Sequence, residues 1–453
     1  MKDKLDCLFV YPGAPSGKKN LLPIMPAGLP VLAGYLARHA VSSAIISLPT
    51  ARRGEFDLPA LIKARGVRLV CIPAHWHRQA AGALELAAAL KKAVPGVKIA
   101  LGGYTASYFA ADLLRDFPAA DYVVRGDGEK PLLRLFGALG KGAAALRRVP
   151  NLAWRDGRGV RLNPVTYAAS SAELSALGLE GLRLILNRDL NPRRGMFCED
   201  GMFTYVQARG CADNCAACGG GGDFHRKFCG RGGPAVKSPA AAARDIAFLA
   251  GLGFGKIQLP LDPLPSDGYW VKLLGLLAAR GLKPELKLEL CGLPSERLLK
   301  AFASAAGPGS RMTLFAGSGS ERVRGLNRGR FYTNDALLAM LKKAAGLYVN
   351  IWTAFTAGLP GETARDVEAT AALMRRVRRE LKMSRTGVYA FSVEPGSPLF
   401  EAPEAHGIKL RRRTLKDFLA QGGRYDVGYA TEGLSEREIV RSLKYLEKVS
   451  RGK

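Results

Sequence analysis

The sequence predicts an α/β protein built in two successive parts: an open doubly wound parallel sheet, then a partial (β/α)6 barrel with a small C-terminal extension. Two observations carry this. Short apolar runs alternate with helical patterns along the first 140 residues, and the same alternation resumes at Thr204 for six further strand-helix units. Strands separated by helices of this length pair in parallel, because a tight hairpin cannot join them. A length of 453 residues suits two or three domains, and 48% apolar against 23% charged residues is enough to bury real cores. The expected division is 1–140 for the sheet domain, 141–195 for a linker containing a hairpin, 196–400 for the barrel and 401–453 for the extension.

In the first part, Cys7 to Tyr11 is an apolar strand closed by Pro12 and Gly13, and the helix after it carries Leu29, Leu32 and Leu36 on one face. Ala44 to Leu48, Arg68 to Ile72, Val97 to Leu101 and Tyr122 to Val124 continue the strand series. Ala81 to Ala93 is an Ala/Leu helix ended by Val94-Pro95-Gly96. Between the two parts, the turn Asp156-Gly157-Arg158-Gly159 with Val160 and Leu162 beside it reads as a hairpin. The barrel strands are expected at Thr204 to Ala208, Lys256 to Leu259, Leu286 to Leu290, Met312 to Phe315, Leu347 to Phe355 and Val388 to Val393. Helices are expected at Ala240 to Ala250, Asp335 to Ala345 and Ala364 to Leu381.

Composition excludes several classes. No stretch reaches the ~18 uninterrupted apolar residues of a membrane span, so the chain reads as soluble and cytoplasmic. Eight cysteines are too few for a disulfide scaffold of this length, and three of them fall within eight positions, which in a reducing compartment points to metal. Lys and Arg exceed Asp and Glu by 28. The basic runs, Arg375 to Arg379 and Arg411 to Arg413, are not interleaved with aromatics as a single-strand-binding surface would be, so a nucleic-acid partner is not expected.

In an open parallel sheet, ligands sit at the carboxyl ends of the strands. Those ends carry Tyr11-Pro12-Gly13, Pro73-Ala74-His75-Trp76-His77, Gly102-Gly103-Tyr104 and Arg125-Gly126-Asp127-Gly128-Glu129, whose glycines would let a large ligand approach the backbone. No GxGxxG or P-loop pattern follows the first strand. The first barrel strand is followed by RGCADNCAACGGGG, which puts Cys211, Cys215 and Cys218 in C-x3-C-x2-C spacing. Three thiolates in one loop suit a soft metal centre. Structural zinc would need a fourth ligand, for which Cys229 or His225 is available; an iron-sulfur cubane would keep one iron open for a small molecule.

This loop resembles the cluster motif of the radical S-adenosylmethionine (SAM) superfamily, in which three cysteines hold a 4Fe-4S cluster and SAM chelates the remaining iron. The residue before the third cysteine, often aromatic in that family, is Ala217 here. Ala357 to Thr363 resembles the family's GLPGET turn, Gly317 to Glu321 its ESGSE segment with Gly317 in place of the first acid, and Glu394 to Leu399 its PGSPL turn. The resemblance implies SAM contacts at Gly219, Gly220, Gln258, Asp262, Ser318, Ser320, Gly358 and Pro360. The first 140 residues resemble the Rossmann-like cobalamin-binding domain of the cobalamin-dependent branch, through PAGL at Pro26 to Leu29, GGYTAS at Gly102 to Ser107 and VVRGDGE at Val123 to Glu129. That resemblance implies cobalamin contacts at Tyr11, Pro12, Gly28, His75, Trp76, Gly102, Gly103, Tyr104, Arg125, Gly126 and Glu129. A D-x-H-x-x-G motif is absent from the first loop, so the lower face of cobalt is expected to lack a protein histidine.

The resemblance further implies three cofactors, the 4Fe-4S cluster, SAM and cobalamin, and an external electron donor such as flavodoxin or ferredoxin. The implied activity is methyl transfer from methylcobalamin to an unactivated carbon, after hydrogen abstraction by a 5′-deoxyadenosyl radical, on a small-molecule or peptide substrate. A non-methylating radical enzyme with the same cofactors is the main alternative, and a non-catalytic sensor a further one. A transfer-RNA methylthiotransferase would carry three ligand cysteines in its N-terminal domain, where this chain has only Cys7 and Cys71. Cys198, Cys229 and Cys291 are expected to be structural, and no catalytic side chain is singled out beyond the cluster ligands.

Overall fold

The computed structural model describes residues 4–12, 25–50, 55–187, 202–260, 262, 264, 266–327, 329–381 and 383–452. Gly13, Cys198 and the 195/196 boundary lie outside them. The chain forms two compact units, residues 1–202 with 225–232 and 414–421, and residues 203–224, 233–413 and 422–453.

The first unit is organised by a seven-stranded sheet in the order β2-β1-β3-β4-β5-β6-β7. Its strands are β1 (Cys7–Tyr11), β2 (Ser43–Ser47), β3 (Leu69–Pro73), β4 (Lys98–Gly102), β5 (Tyr122–Val124), β6 (Leu152–Asp156) and β7 (Gly159–Leu162). The first five pair in parallel, and every residue of β1, β2 and β3 is buried, as expected for strands covered on both faces. The order 2-1-3-4-5 reverses direction between β1 and β3, so the loops after these two strands flank the switch point where doubly wound sheets bind ligands. The hairpin expected in a linker does form, but β6 pairs antiparallel with β5 and so extends this sheet. Trp154, buried on β6, donates from Nε1 to Asn163 Oδ1 at 3.2 Å, which ties β6 to the residue just after β7. The helix expected at Ala81 begins at His77, with Trp76 as an N-cap that offers no side-chain hydrogen bond.

The second unit holds a six-stranded parallel sheet in the order β15-β14-β13-β12-β11-β8, the order of an incomplete (β/α) barrel. Its strands are β8 (Phe203–Thr204), β11 (Lys256–Leu259), β12 (Glu285–Leu290), β13 (Arg311–Gly317), β14 (Ile351–Phe355) and β15 (Ser384–Val388). The expected Thr204–Ala208 strand is divided. β8 ends at Thr204, and β9 (Ala208–Arg209) forms a separate antiparallel pair with β10 (Ala235–Val236) that brackets the cysteine loop. The sixth strand lies four residues earlier than expected, because the apolar run from Val388 continues past the sheet while the more polar Ser384–Val388 serves as its edge.

β16 (Ile408–Leu410) and β17 (Tyr429–Thr431) pair antiparallel, and the helix Glu436–Arg451 buries Ile439, Leu443, Leu446 and Val449 against the helix Ala364–Glu380 and β15. Its start is fixed by a capping box between Ser435 and Glu438. The short helix Leu415–Leu419 belongs to the first unit, where Phe418 packs on His77 and Phe109 with ring centroids 5.0 and 6.1 Å away.

Candidate cofactor sites

At the carboxyl edge of the first unit's sheet, Tyr11 is fully buried after β1 and receives a 3.4 Å hydrogen bond from Gln79 Nε2. His75 and Trp76 follow β3, and Gly103 and Tyr104 follow β4. Gly103 has φ +107°, and a Cβ there would stand 2.4 Å from His75 Cα, so both its conformation and its contact require glycine. That close approach lays Tyr104 against His75, rings 4.5 Å apart and 31° from parallel. On its other side Tyr104 meets His225, edge to face at 5.3 Å and with its hydroxyl 3.3 Å from Nε2. Burial, assisted by the facing His225, pushes the His75 pKa down to about 4. Burial and the nearby Arg231 do the same to His225, against the opposing pull of Asp127. Both imidazoles are therefore neutral at pH 7.

Gly126 N donates to Ser107 Oγ at 2.9 Å, and Arg125 donates from Nη2 to Asn163 O while its buried Nε has no partner among the described residues. Glu129 is buried at the first turn of the helix Glu129–Ala138, and Gly28 opens the helix Gly28–Arg38, where a Cβ would meet no described atom within 4 Å. The expected residues thus gather at the ends of β1, β3, β4 and β5, with an aromatic wall and an orphaned guanidinium nitrogen. Sequence reasoning named His225 only as an alternative fourth ligand of the cysteine loop, whereas it stands at this edge on Tyr104. It also missed the buried ion pair of Asp127 with Arg231, which ties the segment 225–232 to this edge.

In the second unit, Cys211 and Cys215 are half-buried and Cys218 is exposed. Asp213 N lies 3.4 Å from Cys211 Sγ and Gly220 N 3.4 Å from Cys218 Sγ, donors that favour anionic sulfur. Burial of the sulfur raises the free thiols of Cys211 and of Cys218, although the Cys218 residue as a whole is exposed, and Glu394 adds to the rise at Cys218. Among the described residues no three His, Cys, Asp or Glu side chains stand grouped for a metal ion, these cysteines included. Cys229, considered as a fourth ligand, is buried beside Gly126, and His225 is engaged with Tyr104. The donor set itself fits a cluster by its chemistry: three thiols in one eight-residue loop, with backbone N–H groups on two of them.

The loop is anchored from three directions. Gly219 N donates to Glu394 Oε2 at 2.8 Å, and a Cβ on Gly219 would lie 2.7 Å from Pro395 O. Ala216 N donates to Asn327 O and Ala216 O accepts from Leu399 N. Arg330 reaches Asp213 Oδ2 from Nε at 2.9 Å and Asp262 Oδ2 from Nη1 at 2.6 Å, with Nη2 on Asp262 O at 2.7 Å. Asp262 also accepts from Cys291 N at 3.0 Å. The carboxylate expected to bind SAM is therefore held by the chain itself, and no motif marks Arg330 in the sequence.

The other expected SAM residues line the same edge with their side chains turned to internal partners. Gln258 donates to Glu289 Oε1 at 2.8 Å, Ser318 is fully buried against Thr370 and Glu362, and Ser320 donates to Asp366 at 2.7 Å. Gly358, with φ +89°, donates to Glu362 Oε2 at 2.6 Å, and Pro360 O accepts from Asn327 Nδ2 at 3.0 Å. Gly220 is half-buried at the loop's end.

Glu362 is fully buried, and that burial pushes its pKa up to about 7 despite hydrogen bonds from Gly358 N, Leu359 N and Ser318 Oγ. A raised carboxyl pKa costs stability as pH rises, because the unfolded chain releases the proton first. The cost is absent below the unfolded value near 4.5, grows up to about pH 7 and is constant above it. Glu362→Gln should therefore gain about 3 kcal/mol relative to wild type between pH 4.5 and 8 in denaturant unfolding. A difference that stays flat across that range would contradict the assignment.

Comparison with known proteins agrees with this architecture. A B12-binding domain family matches residues 21–136. The radical SAM methyltransferase TsrM from Kitasatospora setae, solved with cobalamin and a 4Fe-4S cluster, superposes with a TM-score of 0.71 at 17% identity over 98% of this chain and 89% of its own. The cobalamin-dependent SAM radical enzyme OxsB superposes at 0.64, with 13% identity over 98% and 62%. A tRNA-2-methylthio-N(6)-dimethylallyladenosine synthase from Pelotomaculum thermopropionicum is 24% identical over 244 residues, 49% of this chain. That match spans about half the relative's length, 52%. Among the described residues no helix is long and apolar enough to cross a membrane. The chain thus has the fold of the cobalamin-dependent radical SAM enzymes, with a B12-binding domain in its N-terminal unit.

Proposed function

We propose that the chain is a cobalamin-dependent radical SAM methyltransferase, in which Cys211, Cys215 and Cys218 hold a 4Fe-4S cluster and the β1, β3, β4 and β5 loops hold cobalamin. The observation that carries the reading is the C-x3-C-x2-C loop itself, tethered at the carboxyl edge of a six-stranded parallel barrel sheet in a chain that also carries a B12-binding fold. When bound, the cluster supplies an electron for SAM cleavage and cobalamin carries the methyl group. The chain's own part is positioning. Glu394, Asn327 and Arg330 fix the cluster loop, and Gly358, Glu362 and Ser318 stiffen the edge beside it. His75, Tyr104 and His225 would offer the corrin an uncharged aromatic wall.

The test needs no substrate. Protein reconstituted without oxygen with iron, sulfide and hydroxocobalamin should hold about four irons and about one corrin per chain. With reductant and SAM carrying a deuterated methyl group, it should form S-adenosylhomocysteine together with labelled methylcobalamin. Iron without corrin would overturn the cobalamin assignment. Corrin that is never methylated would favour a non-methylating radical enzyme. The methylthiotransferase reading finds little support in the N-terminal unit. There Cys7 and Cys71 are buried on neighbouring strands, sulfurs 3.7 Å apart, and no third cysteine occurs before Cys198.

A further inference from the structure

Parallel sheets usually bury apolar residues on both faces, and the barrel sheet does so on only one. Leu286, Leu288, Leu290, Met312 and Leu314 are buried on one face, while the alternate residues of β12 and β14 are half-buried or exposed. The register aligns Lys287 with Arg311, Thr313 with Trp352, and Trp352 with Arg385, so these side chains share the second face. Among the described residues, that face carries the cations Lys256, Lys287, Arg311 and Arg385 and the carboxylates Glu285 and Glu289. Lys256 pairs with Glu285 at 3.2 Å and Lys287 with Glu289 at 3.2 Å, and Gln258 also donates to Glu289. Arg311 stands differently. Its guanidinium lies 5.0 Å over the Trp352 ring, its charge acts on Glu289 without a direct hydrogen bond, and its buried Nε has no acceptor among the described residues. A buried donor of a cation without a partner is costly, and a bound anion would relieve that cost. Trp352 is 37% exposed, which leaves part of the indole free for a flat ligand.

We infer that this face is the substrate site, and that the substrate carries an anionic group, carboxylate or phosphate, on a flat apolar body. The anion is received by Arg311, assisted by Lys287 and Arg385, and the flat part stacks on Trp352. The inference rests on the radical SAM reading, in which the reacting carbon lies at the carboxyl edge of the sheet. Arg311 to Phe315 spans roughly 13 Å of strand, so a ligand on the order of 10 Å long, anchored at Arg311, points its other end toward that edge. Phe315, braced edge to face by Tyr389 at 5.5 Å, forms the apolar wall between.

The test is calorimetric titration of the reconstituted full chain with phenyl phosphate, benzoate, inorganic phosphate and benzyl alcohol. At least one aromatic anion should bind about tenfold tighter than benzyl alcohol, and whichever of the two binds better identifies the charge type. Arg311→Gln should weaken that anion about tenfold, Arg311→Lys should restore part of the loss, and Trp352→Leu should remove the preference for phenyl phosphate over inorganic phosphate. Equal binding of benzyl alcohol, or Arg311→Gln with unchanged affinity and an unchanged unfolding midpoint, would overturn the inference. Should Arg311→Gln misfold, failure of Arg311→Lys to bind better than Trp352→Leu would overturn it instead. Iron content and deoxyadenosine formation in the same preparation separate the two claims, since anion binding without SAM cleavage sinks the radical SAM reading and leaves the site standing.

Discussion

Cys215→Ala protein, reconstituted without oxygen, is expected to lose at least about 100-fold in iron affinity and all SAM cleavage. Changes outside the ligand set already cost 10- to 100-fold in metal sites, and this change removes one of three thiolates outright. Cys211→Ala and Cys218→Ala should behave alike, because each sulfur would bind a different iron. Cys7→Ala is the control: its thiol is buried in β1 beside Cys71 and has no part in the loop. Iron retained at the wild-type level by Cys215→Ala would show that the loop is not the cluster site.

The second large effect is expected at Arg330. Its guanidinium joins Asp213, between the first two cysteines, to Asp262 at the end of β11, and the Asp262 side chain is only 5% exposed. Burial already raises the Asp262 pKa. Arg330→Leu would take the shared cation from two carboxylates, leaving Asp262 only its neutral donors Cys291 N and Trp270 Nε1, and should cost about 3 kcal/mol in urea unfolding, the usual penalty for removing one partner of a buried ion pair. The loop would also lose one of its anchors, so the variant should take up iron more slowly than wild type. Arg330→Lys keeps the charge without the fork and should recover only part of the stability. A loss under about 0.5 kcal/mol for Arg330→Leu, the range of ordinary surface changes, would mean the bridge contributes nothing in solution.

What could be read from the sequence was whatever leaves a local trace. Alternation of strand and helix fixes parallel pairing, and the thiol spacing of Cys211, Cys215 and Cys218 lies within one loop. Elements whose fate depends on distant partners were read less well. The hairpin at 152–162 was recognisable, but its attachment to β5 depends on an edge that the local sequence does not specify. β15 was misplaced because Ser384–Val388 looks less strand-like than the apolar residues after it; pairing with β14 and cover from the C-terminal helix decide the matter instead. The helix at His77 starts without a capping side chain, so its first turn leaves no signal. Arg330 and His225 matter through residues far away in the chain, and no spacing rule reaches them.

The threading of the chain has a practical consequence for dissection. Residues 225–232 and 414–421 belong to the first unit although both neighbours of each segment belong to the second. Ending the polypeptide near residue 202 would remove Arg231 from Asp127, His225 from Tyr104 and Phe418 from His77, and so leave the B12-binding unit without part of its own interior. The two units are thus not modules to be expressed or exchanged by a single cut. A recombinant N-terminal half would need its two missing segments grafted back before it could report on corrin binding.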